Sequence, residues 1–193
     1  MDLDDPTAVA LAAAEALRRS GAAHALYGGL LLAAYAAPRE TRDADLAVAG
    51  ASAEEAARAL ASHGLSARVA FERTRFGGLW VSRITLIGGD SADGLNTVDL
   101  VEPRSIAYAE RALGRALDSS LRGQRIRLLS PEDFVVFKVL STREQDRIDA
   151  ASVLRALGGE LDREAVDAEL DTLRGELADE PIAERWSQVR SLL

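Results

Sequence analysis

The feature that most constrains this chain is a pair of glycines, Gly28-Gly29, followed thirteen residues later by two aspartates in an alternating segment, Asp43-Ala44-Asp45-Leu46-Ala47-Val48. The alternation predicts a strand over Asp43 to Ala49, with Asp43 and Asp45 on one face and Ala44, Leu46 and Val48 on the other. Two residues along a strand separate Cα atoms by about 6.5 Å, so both carboxylates can reach one divalent ion or a pair of them. Without a cation, carboxylates that close repel, and one tends to take up a proton. Such a site expects Mg²⁺ or Mn²⁺, oxygen-ligated and shared with substrate phosphates.

The glycines follow a short apolar run, Ala23 to Tyr27, that reads as a buried strand entering a tight turn. Leu30 to Ala37 then forms a short helix ended by Pro38. Glycines at such a junction let backbone N–H groups approach a phosphate, and the helix N-terminus favours negative charge. A third acid, Asp99, sits in the apolar segment Val98-Asp99-Leu100-Val101. A buried acid is costly unless paired or metal-bound, which makes Asp99 a natural third ligand for two-metal chemistry. Lys138 is the only lysine, set in the apolar helix Phe134 to Leu140. An unpaired ammonium there is expensive, so it either meets a triphosphate or pairs with Asp146 or Asp149. Alone, each fragment is commonplace: a Gly-Gly turn, a solvated Asp-x-Asp, a satisfied acid. Their order and spacing carry the argument.

The rest of the chain supplies a frame. Residues 6–20 read as a helix started by Pro6 and stopped by Gly21. Ser52, with Glu55 completing a capping box, starts another that runs to His63, with Gly64 behind it. Strands are expected over Ser66 to Arg73, Leu79 to Ile87 and Thr97 to Val101, separated by Gly77-Gly78 and the Gly88 to Gly94 segment. A helix from Ser105 to Leu117 and a hairpin over Ser119 to Leu128, turning at Arg122-Gly123, follow. Ser130-Pro131-Glu132-Asp133 is a helix start, with a serine cap, proline at the first position and acids at the positive dipole end. From there the pattern is helical, broken at Ser141 to Gln145, Gly158-Gly159 and Pro181. The expected fold is an α/β (α+β) core over 1–129 and a helical region over 130–193 in one compact unit. Strands mixed irregularly with helices favour a mixed sheet.

Composition narrows the chemistry. The absence of cysteine excludes disulfides, thiolate nucleophiles and cysteine-ligated metals. A net charge of −8 argues against indiscriminate binding to polyanions. Residues 66–147 nevertheless carry thirteen basic against eleven acidic side chains. Arginine clusters there (68, 73, 75, 83, then 104 to 127) form either a solvated face or a local anion-binding surface. The acidic Met1 to Pro6 precedes no signal-type apolar core, and Leu30 to Ala37 is too short to span a bilayer, so a soluble cytoplasmic protein with no membrane partner is expected. His24 and His63 lack ligand spacing for zinc, Phe71 and Trp80 are read as sheet core, and Trp186 as an anchor of the last helix.

The ordered set Gly28-Gly29, Asp43-x-Asp45 and Asp99 resembles the signature of the nucleotidyltransferase superfamily. More narrowly, three segments look like the AbiEii/MenA-type branch: Tyr27-Gly28-Gly29-Leu30, Thr41-Arg42-Asp43-Ala44-Asp45-Leu46, and Leu129-Ser130-Pro131-Glu132-Asp133 with Phe137-Lys138-Val139-Leu140. Asp146-Arg147-Ile148-Asp149 is similar to that branch's final motif, and the match covers about residues 23–157. The branch includes nucleotidyltransferase toxins of bacterial toxin–antitoxin and abortive-infection systems. The resemblance implies a nucleotidyltransferase fold, a mixed sheet flanked by helices with a helical C-terminal region. It implies Mg²⁺ or Mn²⁺ held by Asp43, Asp45 and Asp99, with Lys138 and Asp146 in the active site. Nucleoside triphosphate would be bound near Gly28, Gly29, Arg42 and Lys138. Arg42 and Arg39 can meet phosphate or pair with an acid. The acceptor implied is a hydroxyl of RNA, such as a tRNA 3′ end, or of a protein, with an antitoxin protein as partner. A small-molecule acceptor, as in antibiotic-modifying nucleotidyltransferases, and a non-catalytic binding domain are the competing readings.

Overall fold

Short-range signals set the element boundaries. In the computed structural model, which describes residues 1–62, 66–88 and 94–193, the first helix, α1 (Pro6–Ser20), starts where the Asp5 carboxylate accepts from the N–H groups of Thr7 and Ala8. It ends at Gly21 in a left-handed conformation (φ 77°). Strand β1 (Ala23–Tyr27) runs directly into α2 (Gly28–Tyr35), so the two glycines form the first turn of the helix and not a turn ahead of it. Strand β2 (Ala44–Ala49) begins one residue after Asp43. The Ser52 hydroxyl accepts from the Glu55 N–H to start α3 (Ala53–Ala61), without a return bond from the Glu55 side chain. The expected end of this helix at His63-Gly64, and most of the Gly88 to Gly94 turn, lie outside the described residues.

Strands β3 (Ser66–Phe76), β4 (Leu79–Ile87) and β5 (Leu95–Pro103) form an antiparallel meander; β4 keeps its expected bounds, while β3 and β5 run two or three residues past theirs. Helix α4 (Ile106–Gly114) stops short of Leu117, which opens the hairpin β6 (Leu117–Leu121) and β7 (Gln124–Leu128). Helices α5 (Pro131–Leu140), α6 (Glu144–Leu157), α7 (Arg163–Glu176) and α8 (Ile182–Ser191) complete the chain. The Ser130 hydroxyl caps α5 and donates to Asp133, whose carboxylate also receives Tyr108 and Arg115, which ties α5 to α4 and its C-cap.

The seven strands lie in the order β3-β4-β5-β2-β1-β7-β6. The β1–β2 pair is antiparallel, while β2–β5 and β1–β7 are parallel, giving the mixed sheet that irregular strand and helix order predicts. Helix α5 is buried along most of its length and sets Phe134 and Phe137 against the Tyr27 ring, with centroids 5.6 and 5.2 Å apart. It therefore covers the same sheet face that carries Tyr27. Trp186 is buried as expected and its indole N–H donates to Asp167. Trp80 departs from expectation: it is only half-buried, with the guanidinium groups of Arg73 and Arg104 at 5.3 and 5.8 Å from its ring. Among the described residues no helix is long and apolar enough to cross a membrane.

Candidate active site

Strand register builds the site. Tyr27 on β1 lies opposite Asp45 on β2, Asp45 opposite Asp99 on β5, Asp99 opposite Arg83 on β4, and Arg83 opposite Phe71 on β3. Residues directly opposite in adjacent strands share a face, so these five side chains form one row across five strands. Asp43 stands just before β2, two residues ahead of Asp45 and beside this row, half-exposed and 3.7 Å from the Arg83 guanidinium.

Within the row, Asp99 is almost wholly buried, and Arg83 grips both of its oxygens, at 2.7 and 2.8 Å. This two-pronged pair raises the Arg83 pKa further. Asp45 is treated differently. Among the described residues its carboxylate accepts no hydrogen bond and makes no ion pair. Burial, and next the Asp99 charge, push its pKa up from 3.8 to about 6, with Lys138 pulling the other way.

Space for Asp45 comes from Gly28. This residue has φ 69°, and a Cβ there would lie 1.9 Å from Asp45 Oδ2. At Gly29 a Cβ would meet the Thr41 side chain at 2.7 Å. The sequence reading gave these glycines to phosphate approach; in the structure their immediate demand is the close packing of Asp45 and Thr41.

Lys138 approaches from α5 and resolves the choice between its acid partners by taking both. Its ammonium lies 2.5 Å from Asp146 and 3.1 Å from Asp149, between the rings of Tyr27 and Phe134. Burial pushes the Asp149 carboxyl up, but Arg39, Lys138 and Gln145 outweigh it and hold it below the usual carboxylate value. Asp149 is therefore a buried ion-pair hub joining α5, α6 and the segment before β2.

A cleft is lined by Gly28, Asp45, Asp99, Lys138 and Asp146 of the residues singled out in the sequence, with Tyr27, Arg39, Phe76, Ser141 and Arg143 beside them; Gly29 and Asp43 are not in its lining. Arg143 stacks over Phe76 at 4.9 Å and has no acid partner among the described residues. Neither it nor Arg83 was singled out by motif; Arg83 stood only as one of a run of arginines. Arg42 does not line the cleft: it is 87% exposed and pairs with Glu40. The arginine clusters are likewise largely committed. Arg73 pairs with Glu102, Arg75 and Arg104 with Asp179 and Glu180, Arg111 with Glu169, and Arg122 with Asp5. That pairing leaves little of the anion-binding surface their composition allows.

Among the described residues no three acid or imidazole groups converge into a ready-made metal cluster. The donors nevertheless suit a hard divalent cation: Asp43 and Asp45, two residues apart at the start of β2, offer carboxylate oxygens, and the unpartnered Asp45 is held where a positive charge relieves it. Asp99 belongs to the same set in position but is committed to Arg83.

No protein-family model matches the chain, and no curated protein does. Solved structures do. A nucleotidyltransferase-like antigenic protein from Paracoccidioides brasiliensis aligns over 97% of this chain and 93% of its own, with TM-score 0.52 and 19% identity. The antibiotic-resistance factor ANT(2'')-Ia in solution aligns over 90% of this chain and 95% of its own, with TM-score 0.54 and 16% identity. The same factor in complex with adenylyl-2''-tobramycin gives 88%, 97%, 0.50 and 15%. The chain therefore has the nucleotidyltransferase fold, a seven-stranded mixed sheet flanked by helices. At such identities the likeness speaks for the fold.

Proposed function

We propose that the protein is a divalent-metal-dependent nucleotidyltransferase that moves a nucleoside monophosphate from a nucleoside triphosphate to a hydroxyl acceptor, releasing pyrophosphate. The observation that carries this reading is Asp45. It is an unpartnered carboxylate with a raised pKa, beside Asp99, in the cleft that also holds Lys138 and Arg143. A half-buried, desolvated acid kept without a partner is a cost to folding that a cation-binding role explains.

In this reading Asp43 and Asp45 hold the cation, joined by Asp99. Such an ion supplies charge neutralisation for the triphosphate and acidifies the attacking hydroxyl. Arg143, without an acid partner among the described residues, offers a guanidinium to phosphate oxygens at the cleft mouth. Lys138 holds Asp146 and Asp149 in place and brings positive potential toward Asp45.

The acceptor is proposed from resemblance: RNA, such as a tRNA 3′ end, or a protein, with the enzyme acting as an AbiEii/MenA-type toxin restrained by an antitoxin protein. The second reading, a small hydroxyl compound, rests on the shared fold of the factor seen with adenylyl-2''-tobramycin.

The test incubates the protein with each labelled nucleoside triphosphate and Mg²⁺, offering total RNA, protein extract or aminoglycosides, with Asp45→Asn alongside. Label transferred only by the intact protein establishes the activity and names the acceptor. No transfer to any acceptor, with no growth defect on expression, would show a non-catalytic nucleotidyltransferase-like domain instead.

A further inference from the structure

Asp99 is the most deeply enclosed carboxylate of the row, with a side chain 3% exposed, and both its oxygens are taken by Arg83. The same guanidinium reaches Asp43 at 3.7 Å. One cation of the chain therefore touches two of the three carboxylates suited to a divalent ion. Its position follows from strand register, Arg83 opposite Asp99, and it is steadied by the Phe71 ring at 5.8 Å.

The two partners differ in their freedom. Arg83 is 31% exposed, so its head stays hydrated when it turns to solvent, whereas Asp99 cannot reach water. A buried carboxylate stripped of its counter-charge is strongly disfavoured, so Asp99 always needs a cation. Arg83 meets that need when no metal is present.

Resting on the metal-dependent reading above, we propose that Arg83 is a resident counter-cation that competes with the divalent ion for Asp99, so that the ion completes its ligand set only by opening the Arg83 fork. Arg83 is then a positioning residue that weakens binding of free metal. It also keeps the carboxylate row folded while empty of metal.

The experiment titrates the full chain with Mn²⁺ alone, reading free Mn²⁺ by electron paramagnetic resonance and stability by thermal unfolding in chelator and in Mn²⁺. The variants are Arg83→Gln, Arg83→Lys, Arg143→Gln and Asp45→Asn. Arg83→Gln is expected to tighten Mn²⁺ binding about tenfold, the scale set by one unit charge acting on a divalent ion a few ångströms away in a water-like medium. It should also melt lower in chelator than the parent chain and gain more from Mn²⁺. Arg83→Lys, which keeps the charge but loses the fork, should fall between them and covers the case in which Arg83→Gln does not fold without metal. Arg143→Gln removes an equal charge from the same cleft without freeing an acid, and should change affinity far less.

Equal Mn²⁺ affinity and equal Mn²⁺ stabilisation in the parent chain, Arg83→Gln and Arg83→Lys would overturn the competition while leaving the enzyme reading intact. An equal gain in Arg143→Gln would also overturn it, reducing the effect to general repulsion. If no chain binds Mn²⁺, or Asp45→Asn binds as the parent does, the metal-dependent reading itself falls.

Discussion

Residue 28 and the Asp45 carboxylate share one space: a methyl on residue 28 would stand 1.9 Å from Asp45 Oδ2. Gly50 provides a matched control, since it has nearly the same backbone conformation (φ 65° against 69°) but open space around its Cβ position. Gly50→Ala should cost about 1 kcal/mol of left-handed strain in urea unfolding and leave nucleotidyl transfer intact. Gly28→Ala carries the same strain and also displaces Asp45. Its activity should fall on the order of a hundredfold or more, the cost of about an ångström of misplacement in a catalytic group. Equal behaviour of the two variants would contradict the packing role assigned to Gly28.

Asp45 makes stability depend on pH with a definite sign. Its folded pKa is raised from 3.8 to about 6 by burial and by Asp99, so the folded chain binds this proton more tightly than the unfolded chain. The penalty of an ionised Asp45 is full above pH 6 and fades as pH falls through the window from about 6 to about 4. Asp45→Asn removes the charge and keeps the shape. In chelator it should raise the melting temperature at pH 7.5, by about 3 °C if some 1 kcal/mol is relieved in a chain of this size. The gain should disappear near pH 4, and activity should be lost throughout.

Lys138 neutralises two buried acids at once, so its removal leaves Asp146 and Asp149 with Arg39 as their remaining close cation. Lys138→Met should destabilise the fold by about 3–5 kcal/mol in denaturant titration, the range for breaking a buried ion pair. Adding Asp146→Asn should return part of that loss. A double substitution no more stable than Lys138→Met would show that the Lys138–Asp146 contact carries no coupling.

Arg143 and Arg42 should separate cleanly in kinetics. Arg143→Ala removes a cleft cation that has no acid partner among the described residues, so KM for the nucleoside triphosphate should rise about tenfold, the lower range for a lost charged contact. Its stability should change by less than about 1 kcal/mol, since only the Phe76 stacking is lost. Arg42→Ala, at an exposed pair with Glu40 away from the cleft, should alter neither quantity.

Much of this protein was legible in its residues because the relevant forces act over a few positions. The caps at Ser52 and Ser130, the stop at Gly21 and the alternation after Asp43 determine local geometry wherever the chain goes, and the structure keeps all four. The same reasoning marked Asp99 and Lys138 as charges that need partners, because burial penalises charge whatever the fold, and Asp43 and Asp45 as carboxylates close enough to call for a cation. Which partner each one finds depends on tertiary structure. Asp99 lies more than fifty residues from Asp45, and only the β2–β5 register makes them neighbours; only the β4–β5 register sets Arg83 on Asp99. Arg42 adjoins Asp43 in the chain yet points away, while Arg143, a hundred residues on, lines the cleft. The glycine pair shows the division most clearly. Its place at a strand end is a local fact of the sequence, but the reason residue 28 has no side chain is the Asp45 carboxylate that the sheet brings against it.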